Sequence, residues 1–434
     1  MAAGSKKIGF WSAAAIGVGG MVGGGIFAVL GLSVQLARGG TPVAFAIAGL
    51  VALITSYSYV KLSVRFPSRG GTVTFLDQAF GPAYLPGSAN VLLWLSYVVM
   101  LALYSFAFGS YGATFFSAAH APLAKHVLIS LAILAPTALN VASAKIIGRT
   151  EVYVVGLKLA ILLFFLAVGT QGVDMARLAP STWVPALPLV AGGMIIFVAY
   201  EGFELIANTG EDLANPTRDL PRAFYVAVIF VILLYVAIAT VAVGGVPLGK
   251  LIAAKDYALA EAARPVLGQG GFTMIAIAAL LSTFSAINAT LYGSARLSYI
   301  IAKEGELPAE LEREIYGQPL EGLFITAGLA LILANAADLT SISTLGSAGF
   351  LIIFAAVNGA NLRLAKETKA RPWLAVLGVV GCLAAFGAMV WQSVSDDPAQ
   401  AWVLVGLFGG ALALEGAYRL VGFKGPKKNK PAQV

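Results

Sequence analysis

The chain has 434 residues, 59% of them hydrophobic and 11% charged, with a formal net charge of +7. Soluble domains carry about 25% charged residues, so an ordinary soluble fold is excluded. The many apolar runs, each near the ~20 residues needed to cross a hydrocarbon core, indicate an all-α polytopic membrane protein. The positive charge falls in the loops, where it sets topology, so nucleic acid is not an expected partner. The single cysteine, Cys382, allows no intramolecular disulfide, and His120 and His126 have no ligand cluster around them. No metal or organic cofactor is therefore expected.

Twelve apolar segments run along the chain, at 10–37, 41–65, 86–118, 124–144, 150–171, 186–212, 219–244, 270–302, 321–336, 341–364, 372–393 and 399–421. The first follows Lys6 and Lys7 but is too long for a signal peptide and has no small-residue cleavage site, so it is read as a retained span. An even number of spans puts both termini on one side. With the N-terminus inside, the inner ends hold 21 Lys and Arg against 6 outside, leaving Lys158 within a span. The positive-inside rule therefore places both termini in the cytoplasm of a cell membrane, inner or plasma. Residues 1–421 read as one transmembrane domain and 422–434 as a basic, disordered tail.

Segment one contains "VGGMVGGGIF", Val18–Phe27. Gly19-x-x-x-Gly23 and Gly20-x-x-x-Gly24 are small-xxx-small spacings that let helices pack closely. That spacing leaves the run Gly23-Gly24-Gly25 unexplained, and three consecutive glycines favour an unwound segment. At membrane depth such unwinding is tolerated only inside protein or beside a cavity. A half-helix starting near Ile26 offers free N–H groups to a carboxylate, and one ending near Val22 offers carbonyls to an ammonium. An α-amino acid carries both groups.

Segment five, "EVYVVGLKLAILLFF", holds Lys158 nine residues past Arg149, or about 13.5 Å along a helix. Neither membrane surface is within easy reach from there, so the ammonium is expected to face the bundle interior. A lysine able to lose and regain its proton there suits proton coupling.

Segment six contains "VAYEGFELIANTGEDLANP", with Gly202 between Glu201 and Glu204 in an apolar run. Glu201 is ten residues from Glu211, roughly 15 Å if helical, and an intramembrane carboxylate marks a functional site. Breaks in segments one and six are what a five-plus-five inverted repeat requires. The first repeat is then 10–171 and the second 186–364, with 372–421 added outside them. "GGVPLGKL", Gly244–Leu251, approaches a phosphate loop, but Leu251 stands where a hydroxyl would hold magnesium and no strand precedes it. Gly23-x-Gly25-x-x-Ala28 likewise lies in an apolar span, not after a strand. No catalytic constellation emerges, so an enzyme is not expected.

"GVGGMVGGGIF", "FVAYEGFELIANTGEDLANPTRDLPRA" and "STFSAINATLYGSARLSYIIAKEGELP" together resemble the first-helix, sixth-helix and eighth-helix motifs of the amino acid–polyamine–organocation (APC) superfamily. The likeness covers about the first ten segments, and the lysine of segment five is similar to that of archaeal proton-coupled members. The resemblance implies a LeuT/APC-type fold with alternating access, discontinuous helices 1 and 6, and the proton as coupling ion. It implies that Lys158 stands where sodium-coupled relatives bind Na⁺, near Gly19, Ser282 and Ser285. It implies a substrate carboxylate at the N–H groups of Gly24, Gly25 and Ile26, beside Gly23. The α-ammonium would meet carbonyls near Met21, Val198 and Glu201, beside Gly202, with Phe203 as an aromatic lid. Glu204 is common in the family and would serve structure or gating.

Two departures stand out. Many relatives have a serine in the first-helix break, where this chain has only glycine, and several have an apolar residue at Glu201. The expected function is secondary active amino acid transport by proton symport, without sodium. Neutral or broad specificity leaves the two glutamates turned from the side chain; a cationic amino acid or polyamine would pair with them. An exchanger and a transporter-fold nutrient sensor are the rivals, and the oligomeric state, monomer included, stays open.

Overall fold

The computed structural model describes residues 7–142, 147–303, 311 and 319–422; the expected disordered tail lies outside them, apart from its first residue, Gly422. Among the described residues every regular element is helical: α1 (Phe10–Met21), α2 (Gly25–Ala37), α3 (Thr41–Arg65), α4 (Thr72–Phe80), α5 (Tyr84–Ala113), α6 (Ala121–Ala142), α7 (Ile147–Gly169) and α8 (Ala186–Ile195), then α9 (Pro216–Gly245), α10 (Leu248–Ala253), α11 (Ala258–Lys303), α12 (Leu320–Ala336), α13 (Leu339–Arg363), α14 (Ala365–Thr368), α15 (Pro372–Asp396) and α16 (Gln400–Gly422). Between α8 and α9 the chain forms two tight 3₁₀ stretches, Phe197–Tyr200 and Phe203–Thr209.

Among the described residues nine helices are long and apolar enough to cross a membrane, and up to eleven spans result if each of two bent pairs counts as one. α12, with 17 residues, is apolar but shorter. Local chemistry sets many of the ends. Proline stands in the first turn of α3, α9 and α15, where its missing N–H costs nothing, and the Asp338 carboxylate caps α13 by accepting the Ser341 N–H at 3.0 Å.

α5 and α13 are buried along most of their length, whereas α6, α7, α15 and α16 turn most of their apolar side chains outward. Such outward apolar faces suit lipid, not water. α3 packs on α9, and α5 on α11, α6 and α13, which places the two bent pairs among these helices. The stretch after α9, polar in sequence, is helical: α10 and the first part of α11 fold there because Leu251, Leu259 and Ala263 are fully buried. α11 breaks from this cap into its long membrane portion at Gly268, whose φ of 61° a side chain would strain.

Candidate functional site

The glycine run divides the first span as its composition predicts. α1 ends at Met21 and α2 begins at Gly25, with an angle of 43° between them. The last carbonyls of α1 lack helical partners, and side chains from three other helices supply donors. Lys158 of α7, 2% exposed, donates its ammonium to Gly19 O at 3.1 Å. Ser282 of α11 donates to Val22 O at 2.9 Å, with Gly23 O as a second partner. Tyr235 of α9 donates to Met21 O at 2.6 Å and also reaches Ala199 O, in the second break, at 3.2 Å. The break carries no hydroxyl of its own, and Tyr235 brings one to it.

The sixth span is interrupted in the same way. α8 and the 3₁₀ stretch after it meet at 50°. Ile195 O accepts from Ser343 at 2.7 Å and Ser347 at 2.8 Å, while Ser347 accepts the Val198 N–H at 2.9 Å. Gly202 follows with φ 110°, and a Cβ there would lie 2.6 Å from Gly20 C and 2.7 Å from Met21 N. The two breaks thus touch backbone to backbone. A Cβ on Gly25 would meet Ala199 Cα at 2.8 Å, and one on Gly24 would enter the Tyr104 ring at 2.2 Å. Gly19 faces Val155 of α7 and Gly23 faces Ala286 of α11, whereas Gly20 faces the backbone of Gly202.

Beside the breaks lies a cavity of about 490 Å³, bounded at its inner end by Gly19, Gly20, Glu201, Glu204 and Tyr104. Its mouth is marked by Arg69, Asp212 and Arg296, and Arg69 is held by Asp212 at 2.7 Å. Tyr97 donates to Glu204 Oε1 and Tyr104 to Glu201 Oε2, each at 3.0 Å. The Gly202 N–H donates to Glu204 Oε2 at 2.8 Å.

Of the residues singled out from sequence, Gly19, Glu201, Glu204 and Ser285 line this cavity. Lys158, Ser282, Met21, Gly23, Gly24, Gly25, Ile26, Val198 and Gly202 are buried around the breaks behind it. Phe203 lies elsewhere. Its ring, fully buried, packs 5.5 Å from Tyr59, 5.1 Å from Phe354 and 6.4 Å from Phe224, so it covers no opening. Sequence reasoning missed Tyr97, Tyr104, Tyr235, Ser343 and Ser347. A signal existed: Tyr97 and Tyr104 are seven apart, and Ser343 and Ser347 four apart, which puts each pair on one helix face.

Known proteins share this sequence along nearly all its length. The pattern of the amino acid permease family matches residues 8–411. An uncharacterized protein of Methanocaldococcus jannaschii is 34% identical over 96% of each chain. The inner membrane transport protein YbaT of Escherichia coli is 32% identical over 92% of this chain and 94% of its own. The branched-chain amino acid permease BcaP of Bacillus subtilis is 23% identical over 93% of this chain and 91% of its own.

Proposed function

Because the chain belongs to the amino acid permease family, and so is an amino acid transporter and not an enzyme, we propose that it works by alternating access driven by protons without sodium. Lys158 is the proton-responsive group, and the two breaks hold the substrate. The observation that carries this reading is the buried Lys158 ammonium on Gly19 O, in the last turn of α1. A charged donor holds a carbonyl more strongly than a neutral amine does. Protonated Lys158 therefore clamps α1 to α7, and loss of the proton loosens α1 while leaving Ser282 and Tyr235 in place. Sodium has no role in this scheme, since the ammonium occupies the carbonyl that a cation would need.

The substrate carboxylate goes to the N–H groups of Gly24, Gly25 and Ile26 at the start of α2, where the helix dipole favours negative charge. The α-ammonium goes to carbonyls of Met21, Val198 and Glu201. These groups recognise what every α-amino acid has in common, so selection among side chains falls to the rest of the cavity. With α12 counted as a short span, the chain crosses the cell membrane twelve times as two inverted five-helix repeats plus α15 and α16, with both termini cytoplasmic. The cavity mouth at Arg69 and Arg296 then opens inward.

The test is uptake into proteoliposomes with an imposed pH gradient and no sodium. Uptake of a neutral amino acid that follows the pH gradient is expected, and Lys158→Ala should abolish accumulation against a concentration gradient. Strict sodium dependence, or full accumulation by the alanine variant, refutes the role given to Lys158. Counterflow without net proton movement would establish an exchanger instead.

A further inference from the structure

α3 ends at Arg65, shortly before Arg69 of the cavity mouth, and its last turns meet the link between α14 and α15. The Tyr57 hydroxyl accepts the Arg371 N–H at 2.7 Å, and the Lys61 ammonium donates to Lys369 O at 3.2 Å. These two bonds hold the link against α3 and bring Lys61, Lys369 and Arg371 to one junction. Lys61 is one turn inside the end of α3, about 6 Å along the axis and so within the thickness of a lipid headgroup layer. A lysine there ordinarily extends along its own helix to water. This one reaches across to Lys369 O instead, which uses one of its three donors.

The acid beside these cations, Glu367, is held by Arg65 at 3.8 Å. Among the described residues no ion pair reaches Lys61, Lys369 or Arg371, and the side chains of Lys369 and Arg371 are exposed. Away from the junction the surface turns apolar. Leu50, Ile54, Tyr57 and Lys61 recur at helical spacing on one face of α3, none of them fully buried, and Leu50 is 54% exposed. α15 packs beside α3 and adds the exposed Trp373 and Leu377. Tryptophan sits by preference at headgroup level. Positive charge at the membrane surface, followed inward by an apolar strip, complements an anionic head with acyl chains behind it.

We propose that the junction of α3 with the α14–α15 link binds an anionic glycerophospholipid, whose phosphate meets Lys61, Lys369 and Arg371 and whose acyl chains lie along the Leu50–Ile54 face of α3. Charge complementarity selects this occupant. A zwitterionic head brings an ammonium together with its phosphate and cancels much of the attraction, whereas a head of net negative charge does not. A free phosphate gains the charge contacts but leaves the apolar strip unused. The site lies outside the cavity, and no step of the transport scheme depends on it. α3 also packs on the 3₁₀ stretches of the sixth span, so a phosphate that joins α3 to α15 braces the helix behind the second break.

Thermal denaturation of the purified full-length chain tests this, in detergent micelles doped with phosphatidylglycerol or with phosphatidylcholine of the same acyl chains at the same mole fraction. Phosphatidylglycerol is expected to raise the midpoint by about 3 °C or more beyond phosphatidylcholine. The difference should shrink as salt rises from about 0.05 to about 0.5 M. Lys61→Gln with Arg371→Gln should remove at least about half of it. Lys7→Gln with Lys303→Gln is the control, an equal loss of charge beside Glu211 and at the end of α11, and should keep it. Inorganic phosphate added to undoped micelles should not reproduce the shift.

Equal midpoints in the two lipids overturn the proposal. So does an equal loss in the two double variants, which would mean diffuse attraction to a positive surface. A full shift from inorganic phosphate overturns the assignment to lipid. Should Lys61→Gln with Arg371→Gln fail to fold, Arg371→Gln decides alone, because that side chain is exposed; a phosphatidylglycerol shift that it leaves intact refutes the site.

Discussion

Replacing Gly202 by alanine tests whether the two breaks are one structure. At φ 110° Gly202 has a backbone that side chains rarely adopt, and forcing alanine into it costs about 1–3 kcal/mol. The new methyl would also lie 2.6 Å from Gly20 C, 2.7 Å from Met21 N and 2.8 Å from Gly20 Cα. These are backbone atoms at the end of α1 and cannot turn aside as a side-chain tip can, so overpacking adds roughly another 1–3 kcal/mol. Together the loss is about 2–6 kcal/mol, a large part of the stability of most proteins. Gly387→Ala is the control, because Gly387 is an exposed position of α15 where a Cβ meets nothing within 4 Å. Thermal denaturation in detergent should rank Gly202→Ala well below the unaltered chain and Gly387→Ala at or slightly above it. The stabilisation that a bound amino acid confers should also vanish in the first variant and persist in the second. A Gly202→Ala protein that melts with the unaltered chain and keeps that stabilisation would refute the backbone contact between the breaks.

Three other perturbations follow from specific contacts. Ser282→Ala strands the carbonyls of Val22 and Gly23; a loss of about 1–3 kcal/mol is expected, read as a lowered thermal midpoint, with Ser282→Thr restoring the donor. Lys125 bonds Asp256 at 2.8 Å and lies 3.8 Å over the Phe106 ring, tying α6 to the segment between α10 and α11. A double-mutant cycle with Lys125→Ala and Asp256→Asn should give a coupling of about 1 kcal/mol, with faster hydrogen exchange around Tyr257. Asp338 is exposed, and although partial desolvation opposes its charge, hydrogen bonds from Ser341 and the charge of Lys255 outweigh that and hold its carboxyl below the usual range. A lowered value stabilises the fold above the unfolded carboxyl's about 3.9 and is lost as pH falls through the folded value. Asp338→Asn, which keeps a cap, should therefore flatten the acid limb of the thermal midpoint between about pH 5 and pH 3 by a few tenths of a kcal/mol.

The positions of the breaks were legible in sequence because they rest on local chemistry. Three glycines in a row cannot hold a helix without help, and the observed ends at Met21 and Gly25 lie one residue from the expected Val22 and Ile26. Lys158 was legible for a similar reason, since a lysine far from both surfaces must find a partner inside. The partners were not legible, because helical periodicity gives the face of a helix but not the neighbour it meets. Tyr104 and Glu201 are 97 residues apart, and Ser347 and Ile195 are 152 apart. Phe203 shows the same limit. An aromatic beside a break reads as a lid, yet the left-handed Gly202 turns the chain between Glu201 and Phe203. The carboxyl then faces the cavity and the ring faces Tyr59 and Phe354. The segment before Gly268 falls between the seventh and eighth apolar segments, because its scattered charges interrupt the apolar run, although Leu251 and Leu259 bury completely.

Tyr104 connects the two halves of the site. Its ring fills the space left by the missing Cβ of Gly24, and its hydroxyl donates to Glu201. The cavity therefore ends at Tyr104 and does not reach Gly24, Gly25 or Ile26. Any ligand held by those amides has first to displace this ring, and the ring cannot move far while its hydroxyl stays on Glu201. The start of α2 and the Glu201 carboxyl are thus not independent, because one side chain covers the first and is held by the second. A serine in the glycine run would have supplied a hydroxyl that moves with the α1–α2 break. Here the hydroxyls come from Tyr104, Tyr235 and Ser282, on α5, α9 and α11, so a rotation of α1 against those helices changes the polar lining and the packing of the break together.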